Sequence, residues 1–166
     1  MADITTPRDL FLHELGDIMY VEQKLSTEVL PKLISEVTDE EFREALEQHL
    51  DQTKRHLRNV EKVFEELGET PHAEKCIGLE GLRQEHEKLL GEASPDLVDS
   101  IDLGAAARTE CYEIAAYEGL RRMAKAMGED KAVELLDRNL EEEKDALKVV
   151  EKIATRVSKE SAQALA

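Results

Sequence analysis

The sequence has no tryptophan, and aromatic residues of all kinds make up only 4% of its 166 positions. Its two cysteines, Cys76 and Cys111, are far apart, so a disulfide scaffold is not expected. No apolar run approaches the roughly 18 residues of a membrane helix, and no basic segment with an apolar run behind it opens the chain. We therefore expect neither a membrane helix nor a signal peptide. Gly-rich phosphate loops, Ser-His-Asp order and CxxC pairs are also missing.

Basic residues are scarce relative to acidic ones. There are 22 Lys and Arg residues against 38 Asp and Glu residues, which gives a formal net charge of -16. This charge opposes binding to nucleic acids and anionic lipids, because both are polyanions. A hydrophobic fraction of 41% is too high for a disordered chain. The composition predicts a single cytoplasmic domain over residues 1–166 that binds neither nucleic acid nor membranes.

Apolar residues recur every three or four positions along four long segments, which is the period of an amphipathic helix. The predicted helices cover about 7–36, 39–67, 97–127 and 130–156. The bundle is expected to end at about 157, with a frayed tail from Ser158 to Ala166. Thr6 and Pro7 predict the first helix start, and Thr38 to Glu41 predict a capping box at the second. Pro31 predicts a kink, because it removes a backbone donor.

The lengths of the connections indicate how these helices are arranged. Short turns at 37–39 and 128–130 join two antiparallel helix pairs, whereas the segment from 68 to about 95 is too long for a turn. Leu79, Leu82 and His86 show that this segment has a short helical pattern of its own. Two antiparallel hairpins joined by a long crossover that contains a short helix describe an all-α, ferritin-like four-helix bundle.

Polar residues interrupt the core register of every long helix. They are Glu22 in the first helix, Thr53 with His49 and His56 beside it in the second, Glu110 and Glu113 in the third, and Glu143 in the fourth. His49 and His56 are two turns apart and share one face. Each group lies near the middle of its helix, so antiparallel packing would bring four carboxylates and two imidazoles to one level.

Buried carboxylates at one level would repel one another, and each would cost several kcal/mol if unpaired. Protonation, a buried Lys or Arg, or a cation would relieve this, and the same registers supply no basic residue there. Oxygen and imidazole ligands suit iron, manganese or zinc, and ferritin-like bundles hold such ions in pairs. We predict an iron or manganese site, with one ion or two, whose ligands are Glu22, His49, His56, Glu110, Glu113 and Glu143. The competing interpretation is that these residues face solvent at the bundle edge.

Three further residues were compared with this proposed site. Tyr117 either orients a carboxylate through a hydrogen bond or simply packs in the core. Asp17 is a reserve ligand. His86 is expected to lie away from the site and to be partly exposed.

Several strings in the chain resemble the YciF-like proteins. They are LFLHEL at 10–15, EQKL at 22–25, KCIGLEGL at 75–82, ECYEIAAY at 110–117 and NLEEEK at 139–144. The resemblance covers almost the whole chain. It implies a rubrerythrin-related, ferritin-like bundle with a dinuclear metal site, association into a homodimer, and a role in bacterial stress responses. It implies no established reaction, so no catalytic residue is assigned.

The sequence leaves three functions open. The first is a non-haem metal protein that handles dioxygen or peroxide during oxidative or general stress. The second is a metal-poor structural or interaction protein, favoured because no helix contains Glu-x-x-His and because Gln52 stands where the family usually has Glu. Cys111 likewise stands where the family usually has His. The third is a DNA-protecting protein, which the charge of -16 disfavours.

Overall fold

The computed structural model describes residues 4–164, which form helices and no strand. The helices are α1 (Pro7–Lys24), α2 (Leu30–Glu36), α3 (Glu40–Glu66), α4 (Ile77–Glu92), α5 (Val98–Met127) and α6 (Asp130–Ala164). A π-helical turn at Leu25–Val29 joins α1 directly to α2, and a 3-10 turn at Pro95–Leu97 precedes α5. Residues 1–3, where no signal peptide was expected, and 165–166, at the end of the predicted tail, lie outside the described residues.

The bundle has four long helical rods. One consists of α1, the π turn and α2, and the others are α3, α5 and α6. The first rod packs against α3 and α5, α6 packs against α3 and α5, and the crossover helix α4 lies on α5. Buried aliphatic and aromatic side chains such as Phe11, Leu15 and Leu136 fill the interior. The predicted all-α, ferritin-like bundle with a helical crossover is confirmed.

Of the two helix caps predicted from the sequence, the one at α1 is confirmed and the one at α3 is wrong. Thr6 caps α1 as expected, in a reciprocal capping box with Asp9. At α3 the prediction of a capping box from Thr38 is wrong, because Asp39 accepts the N–H of Phe42 instead. The carboxylate of Asp99, on α5, accepts hydrogen bonds from the Thr38 hydroxyl at 2.5 Å and the Thr38 N–H at 2.9 Å. This tertiary contact leaves the adjacent residue to cap the helix.

The last helix extends past its predicted end at about 156, since α6 continues to Ala164. The fraying expected from Ser158 onward stays a prediction. Arg156 and Glu160, one turn apart on its exposed side, form an ion pair at 3.0 Å. Within residues 4–164, none of the helices combines the length and the apolar character needed to cross a membrane.

The π-helical turn stands directly before Pro31. In a regular α-helix, this proline ring would clash with the carbonyl group of Thr27, four residues earlier. Here the turn is wider, and the Leu30 N–H bonds to the Leu25 carbonyl, five residues back. The buried Ser26 hydroxyl donates to the Glu22 carbonyl at 2.7 Å. The irregular turn therefore lies next to a predicted ligand, as π turns often do at functional sites.

Candidate metal centre

The structure brings all six predicted ligand side chains together inside the bundle. They come from all four rods: Glu22 from α1, His49 and His56 from α3, Glu110 and Glu113 from α5, and Glu143 from α6. Each is less than a tenth exposed, and Glu22, Glu113 and Glu143 are 0% exposed. The interpretation that these residues face solvent at the bundle edge is therefore wrong.

The potential ligand atoms form two groups that share Glu143. In the His49 group, one atom each of His49, Glu110, Glu113 and Glu143 lies within 4.8 Å of the others. In the His56 group, the same holds for Glu22, His56 and Glu143. The Glu143 carboxylate divides its oxygens between them: Oε2 is 3.8 Å from His49 Nε2, and Oε1 is 2.7 Å from His56 Nδ1.

Many of these buried polar atoms have no hydrogen-bond partner in the described protein. They are Oε2 of Glu22 and of Glu110, both carboxylate oxygens of Glu113 and of Glu143, and Nδ1 of His49 and of His56. The contact of 2.7 Å between His56 and Glu143 is close, but it lacks the alignment of a hydrogen bond. Buried polar groups are nearly always paired, so this cluster requires an explanation.

No Lys or Arg within residues 4–164 forms an ion pair with Glu22, Glu110, Glu113 or Glu143. Arg55 binds the half-exposed Glu142 at 3.1 Å instead. Glu142 in turn lies 2.9 Å from His56 Nε2. Among the described residues, no buried Lys or Arg compensates the negative charge of these four carboxylates. Protonation or a bound cation is left to do so.

Burial and mutual repulsion make the cluster ionise unevenly. Burial raises the pKa of Glu22 to about 8, with the charge of Glu143 adding to this effect and His56 opposing it. Burial, followed by the Glu143 charge, raises the pKa values of Glu110 and Glu113 well above the usual value. The pKa of Glu143 is instead lowered, because contacts with His56 and His49 outweigh its burial.

The two imidazoles also differ in their protonation. Burial lowers the pKa of His49. Burial also acts to lower the pKa of His56, but Glu143 and Glu22 outweigh it and raise the value to about 9. Without metal at neutral pH, these shifts favour an ionised Glu143 beside a protonated His56, with a proton on Glu22. The raised pKa values of Glu110 and Glu113 act toward protonation of these carboxyls as well. Each such proton occupies an oxygen that a cation would otherwise use.

A hydrogen-bonded network orients the His56 group, and Tyr117 is the one member for which the sequence analysis considered such a role. The Tyr117 hydroxyl donates to Glu22 Oε1, so the interpretation of this tyrosine as a residue that orients a carboxylate is confirmed. Asn139 Nδ2 donates to the Tyr117 hydroxyl at 3.0 Å and to the His56 carbonyl at 3.2 Å. Asn59 Nδ2 donates to Asn139 Oδ1 at 2.7 Å. Asn139 lies one turn before Glu143 on the same face of α6. This spacing could have been used to predict from the sequence that Asn139 faces the site.

Two other residues lie outside both groups. Asp17, the reserve ligand, accepts a hydrogen bond from the Tyr112 hydroxyl at 3.1 Å. His86 is half-buried as expected, but it has a partner that the sequence did not predict. Its Nε2 lies 2.6 Å from Oδ1 of the fully buried Asp102.

We expect the free energy of unfolding of the metal-free protein to fall as the pH rises from 6.5 to about 9. A group whose folded pKa exceeds its unfolded value stabilises the protein at low pH, and this contribution is lost as the pH rises through the folded pKa. Glu22 and His56 both act in this direction, with folded values of about 8 and about 9. The pKa values of His49 and Glu143 are lowered in the folded protein. These two groups therefore change the free energy of unfolding only at pH values at or below their pKa values in the unfolded chain.

Urea unfolding at several pH values, in the presence of a chelator, measures this dependence. One pKa unit corresponds to about 1.4 kcal/mol, so a loss of more than about 1 kcal/mol is expected. With metal bound the trend should reverse, because the ligands must lose their protons to bind it. A metal-free protein whose stability is flat or rises over this range would contradict the ionisation scheme.

The family relationship rests on both sequence and fold. Residues 6–163 match the family described as Domain of unknown function (DUF892). The chain is 33% identical to Protein YciF of Escherichia coli K12 over 144 residues, which are 86% of each chain. The crystal structure of the Escherichia coli stress protein YciF matches with a TM-score of 0.86 and 30% identity, over 94% of this chain and 99% of that one.

A second solved structure, YcfI of Rhodopseudomonas palustris, matches equally well. Its TM-score is 0.86 at 36% sequence identity, and the match covers 90% of this chain and 96% of that one. Both matches cover nine-tenths or more of this chain. The resemblance that the sequence motifs indicated is thereby confirmed, and the chain belongs to the DUF892 family, with a YciF-like, ferritin-like bundle fold.

Proposed function

We propose that this protein binds two iron or manganese ions in a dinuclear centre, to which Glu143 would contribute as a member of both ligand groups, and acts in the bacterial oxidative or general stress response. The observation that carries the proposal is the set of unpartnered, buried oxygen and nitrogen atoms in two groups that share one carboxylate. The stress role is supported by the similarity to the Escherichia coli stress protein YciF.

The donor set fits these metals. Carboxylate oxygens and neutral imidazole nitrogens are ligands for iron and manganese, whereas the soft sulfur ligands typical of copper(I) are lacking in both groups. The four carboxylates Glu22, Glu110, Glu113 and Glu143 would neutralise two divalent ions. Each group has one imidazole, and the burial of both groups limits access by water.

The protein residues would have different roles around the ions. Iron or manganese would supply a centre able to change oxidation state with dioxygen or peroxide as the oxidant. Glu143 would hold both positions at a fixed separation. Tyr117 would orient the Glu22 carboxylate, and Asn139 would hold the Tyr117 hydroxyl in place. Whether turnover follows from binding is measured by peroxide consumption and dioxygen consumption of the metal-loaded protein.

Elemental analysis tests the proposal directly. We expect protein purified without chelator, from cells supplied with iron and manganese, to carry up to two of these ions per chain. Its melting temperature should rise with added metal, since a ligand present at 100 times its Kd contributes about 2.7 kcal/mol of stability. The absence of any transition metal, together with a melting temperature that added iron and manganese leave unchanged, would contradict the proposal.

A metal-poor structural or interaction protein is the second candidate. It is favoured by Gln52 beside the His49 group, by the lack of a Glu-x-x-His pair on the helices, and by the similarity to YcfI, which is described provisionally as a structural protein. On this alternative, the carboxyls hold protons permanently and the chain binds a protein partner. The elemental analysis separates the two candidates.

The remaining assignments are also proposals. We place the protein in the cytoplasm as a homodimer that binds neither membranes nor nucleic acid, with its net charge of -16 as the argument against nucleic acid. Sedimentation equilibrium tests the dimer. Gel retardation of DNA at low salt tests the third function that the sequence left open, and a shifted band would contradict this assignment.

A further inference from the structure

An apolar cavity of about 120 Å³ lies between the first rod, α3, α4, α5 and α6. Aliphatic and aromatic side chains such as Leu25, Phe42 and Leu46 form most of its wall. The wall also includes the exposed Val149 and the buried His49 and Glu110. The cavity therefore connects the protein surface with the His49 group. Its size is comparable to the roughly 150 Å³ of engineered apolar cavities that stay dry and bind benzene or xenon.

The unpartnered polar atoms on the cavity wall belong to the candidate metal centre. Nδ1 of His49 and Oε2 of Glu110 are buried and have no hydrogen-bond partner in the described protein. Gln52, also on the wall, lies close enough to the His49 ring to oppose the effect of burial on its pKa, but no aligned hydrogen bond reaches Nδ1. A molecule in the cavity would thus be adjacent to two predicted ligands.

The charged side chains around the cavity are already paired with other protein groups. Arg83 binds Glu80 at 3.1 Å, and Arg108 binds Glu85 at 3.4 Å. His86 is held by Asp102, and Asp145 binds Lys148 at 2.8 Å. The wall therefore presents little free charge to an anionic ligand. Most of the wall is aliphatic, so a polar molecule such as peroxide would lose hydrogen bonds with water there and regain them only near polar residues such as His49 and Glu110.

We propose that this cavity is a binding site for a small apolar molecule, and that the molecule is dioxygen on its way to the metal centre. The binding site follows from the size and the apolar wall of the cavity, whereas the identity of the occupant rests on the proposed function. Dioxygen partitions favourably into apolar surroundings, because it forms no strong hydrogen bonds with water that entry would break. On this proposal dioxygen, rather than peroxide, oxidises the bound metal.

Xenon is the probe for the cavity itself, and the experiment uses the full-length, metal-free protein. We expect methyl NMR signals of Leu46 and Val150, which line the cavity, to shift saturably with xenon pressure. The methyl signals of Val63 and Leu136, buried elsewhere in the core, should remain unchanged. A lack of saturable shifts at the cavity methyls would overturn the binding site whether or not the protein binds metal.

Cavity-filling variants test the route to the metal. Ala106→Leu on α5 and Ala146→Leu on α6 each add volume at the cavity wall, whereas Ala115→Leu adds the same atoms at an exposed position of α5. We expect both cavity variants to lose the xenon shifts and to oxidise bound iron(II) with dioxygen several-fold more slowly than Ala115→Leu. Metal content, measured separately, shows whether the proposed function itself has failed.

Two outcomes would overturn the dioxygen assignment. One is oxidation at the wild-type rate by a cavity variant that has full metal occupancy and has lost the xenon shifts. The other is competition by octanoate, an anionic amphiphile, for the xenon shifts at low concentration, which would identify the cavity as a site for a larger charged ligand. If one cavity variant fails to fold, the other supplies the same comparison from a different helix.

Discussion

A Glu143→Gln variant is expected to lose both bound metal ions, whereas Glu22→Gln is expected to lose one. The two ligand groups share only Glu143, and each of its oxygens is directed at a different imidazole. The amide would retain the shape of the side chain but not its charge or its second oxygen ligand. We expect affinity at both positions to fall by more than the roughly 10- to 100-fold that follows loss of an outer-shell partner.

Metal content per chain and calorimetric titration with iron(II) or manganese(II) measure this difference. Glu141→Gln is the matched control, because Glu141 lies on α6 as well but is exposed and outside both groups. The control should bind metal as the wild type does. Equal losses in Glu143→Gln and Glu22→Gln would mean that the two groups are not joined through Glu143, and the bridged arrangement would have to be abandoned.

A Glu113→Leu variant is expected to be more stable than the wild type without metal and to bind metal weakly. Glu113 is 0% exposed, and neither carboxylate oxygen has a hydrogen-bond partner in the described protein. Leucine would fill a similar volume without a polar group to desolvate. Replacement of buried charged groups by hydrophobic residues stabilises proteins by about 1–4 kcal/mol in favourable cases, and we expect a gain within this range.

Urea unfolding in chelator at pH 8 measures the gain, since the pKa of Glu113 is raised and its carboxyl costs most when it must ionise. Glu118→Leu serves as the control on the same helix. Its carboxylate is 44% exposed, so a change within about 0.5 kcal/mol is expected. A Glu113→Leu protein that is clearly less stable than the wild type without metal would show that the carboxyl already has a structural role.

Taken together, these variants separate two explanations of the same cluster. If the buried carboxyls are retained for a cation, their removal should stabilise the metal-free protein and abolish binding. If they are structural, as the metal-poor alternative holds, their removal should destabilise the protein and leave its metal content unchanged. Natural proteins often accept such a cost in stability where a functional site requires it.

The periodic pattern of apolar residues was sufficient to predict the fold. Helix period and connection length together define which elements are adjacent, so the two hairpins and the crossover could be placed without coordinates. The errors arose at helix ends. Thr38 was predicted as a cap, but a carboxylate from α5, which is distant in sequence, binds it instead. α6 continues to Ala164, past the predicted helix end at about 156.

The candidate site was predicted in part. Glu22 and Glu143 interrupt an apolar register and the other four residues lie beside one, and such a pattern is a signal within a single helix. Asn139 and Glu142 were missed because polar residues are common in a chain with this many charges, and their contacts with Tyr117 and His56 join different helices. The cavity could not be predicted either, since it is bounded by five separate segments.

The sequence by itself determined the helices, their order and the polar residues that would face inward, because these depend on local periodicity and on connection length. Only the tertiary structure decided that Glu143 lies between both imidazoles, that Tyr117 holds Glu22, and that an apolar cavity reaches His49. The physical reason is that helix rotation and axial offset are set by the packing of side chains from several helices. A shift of one residue in one helix would separate atoms that must lie within a few ångströms to share an ion.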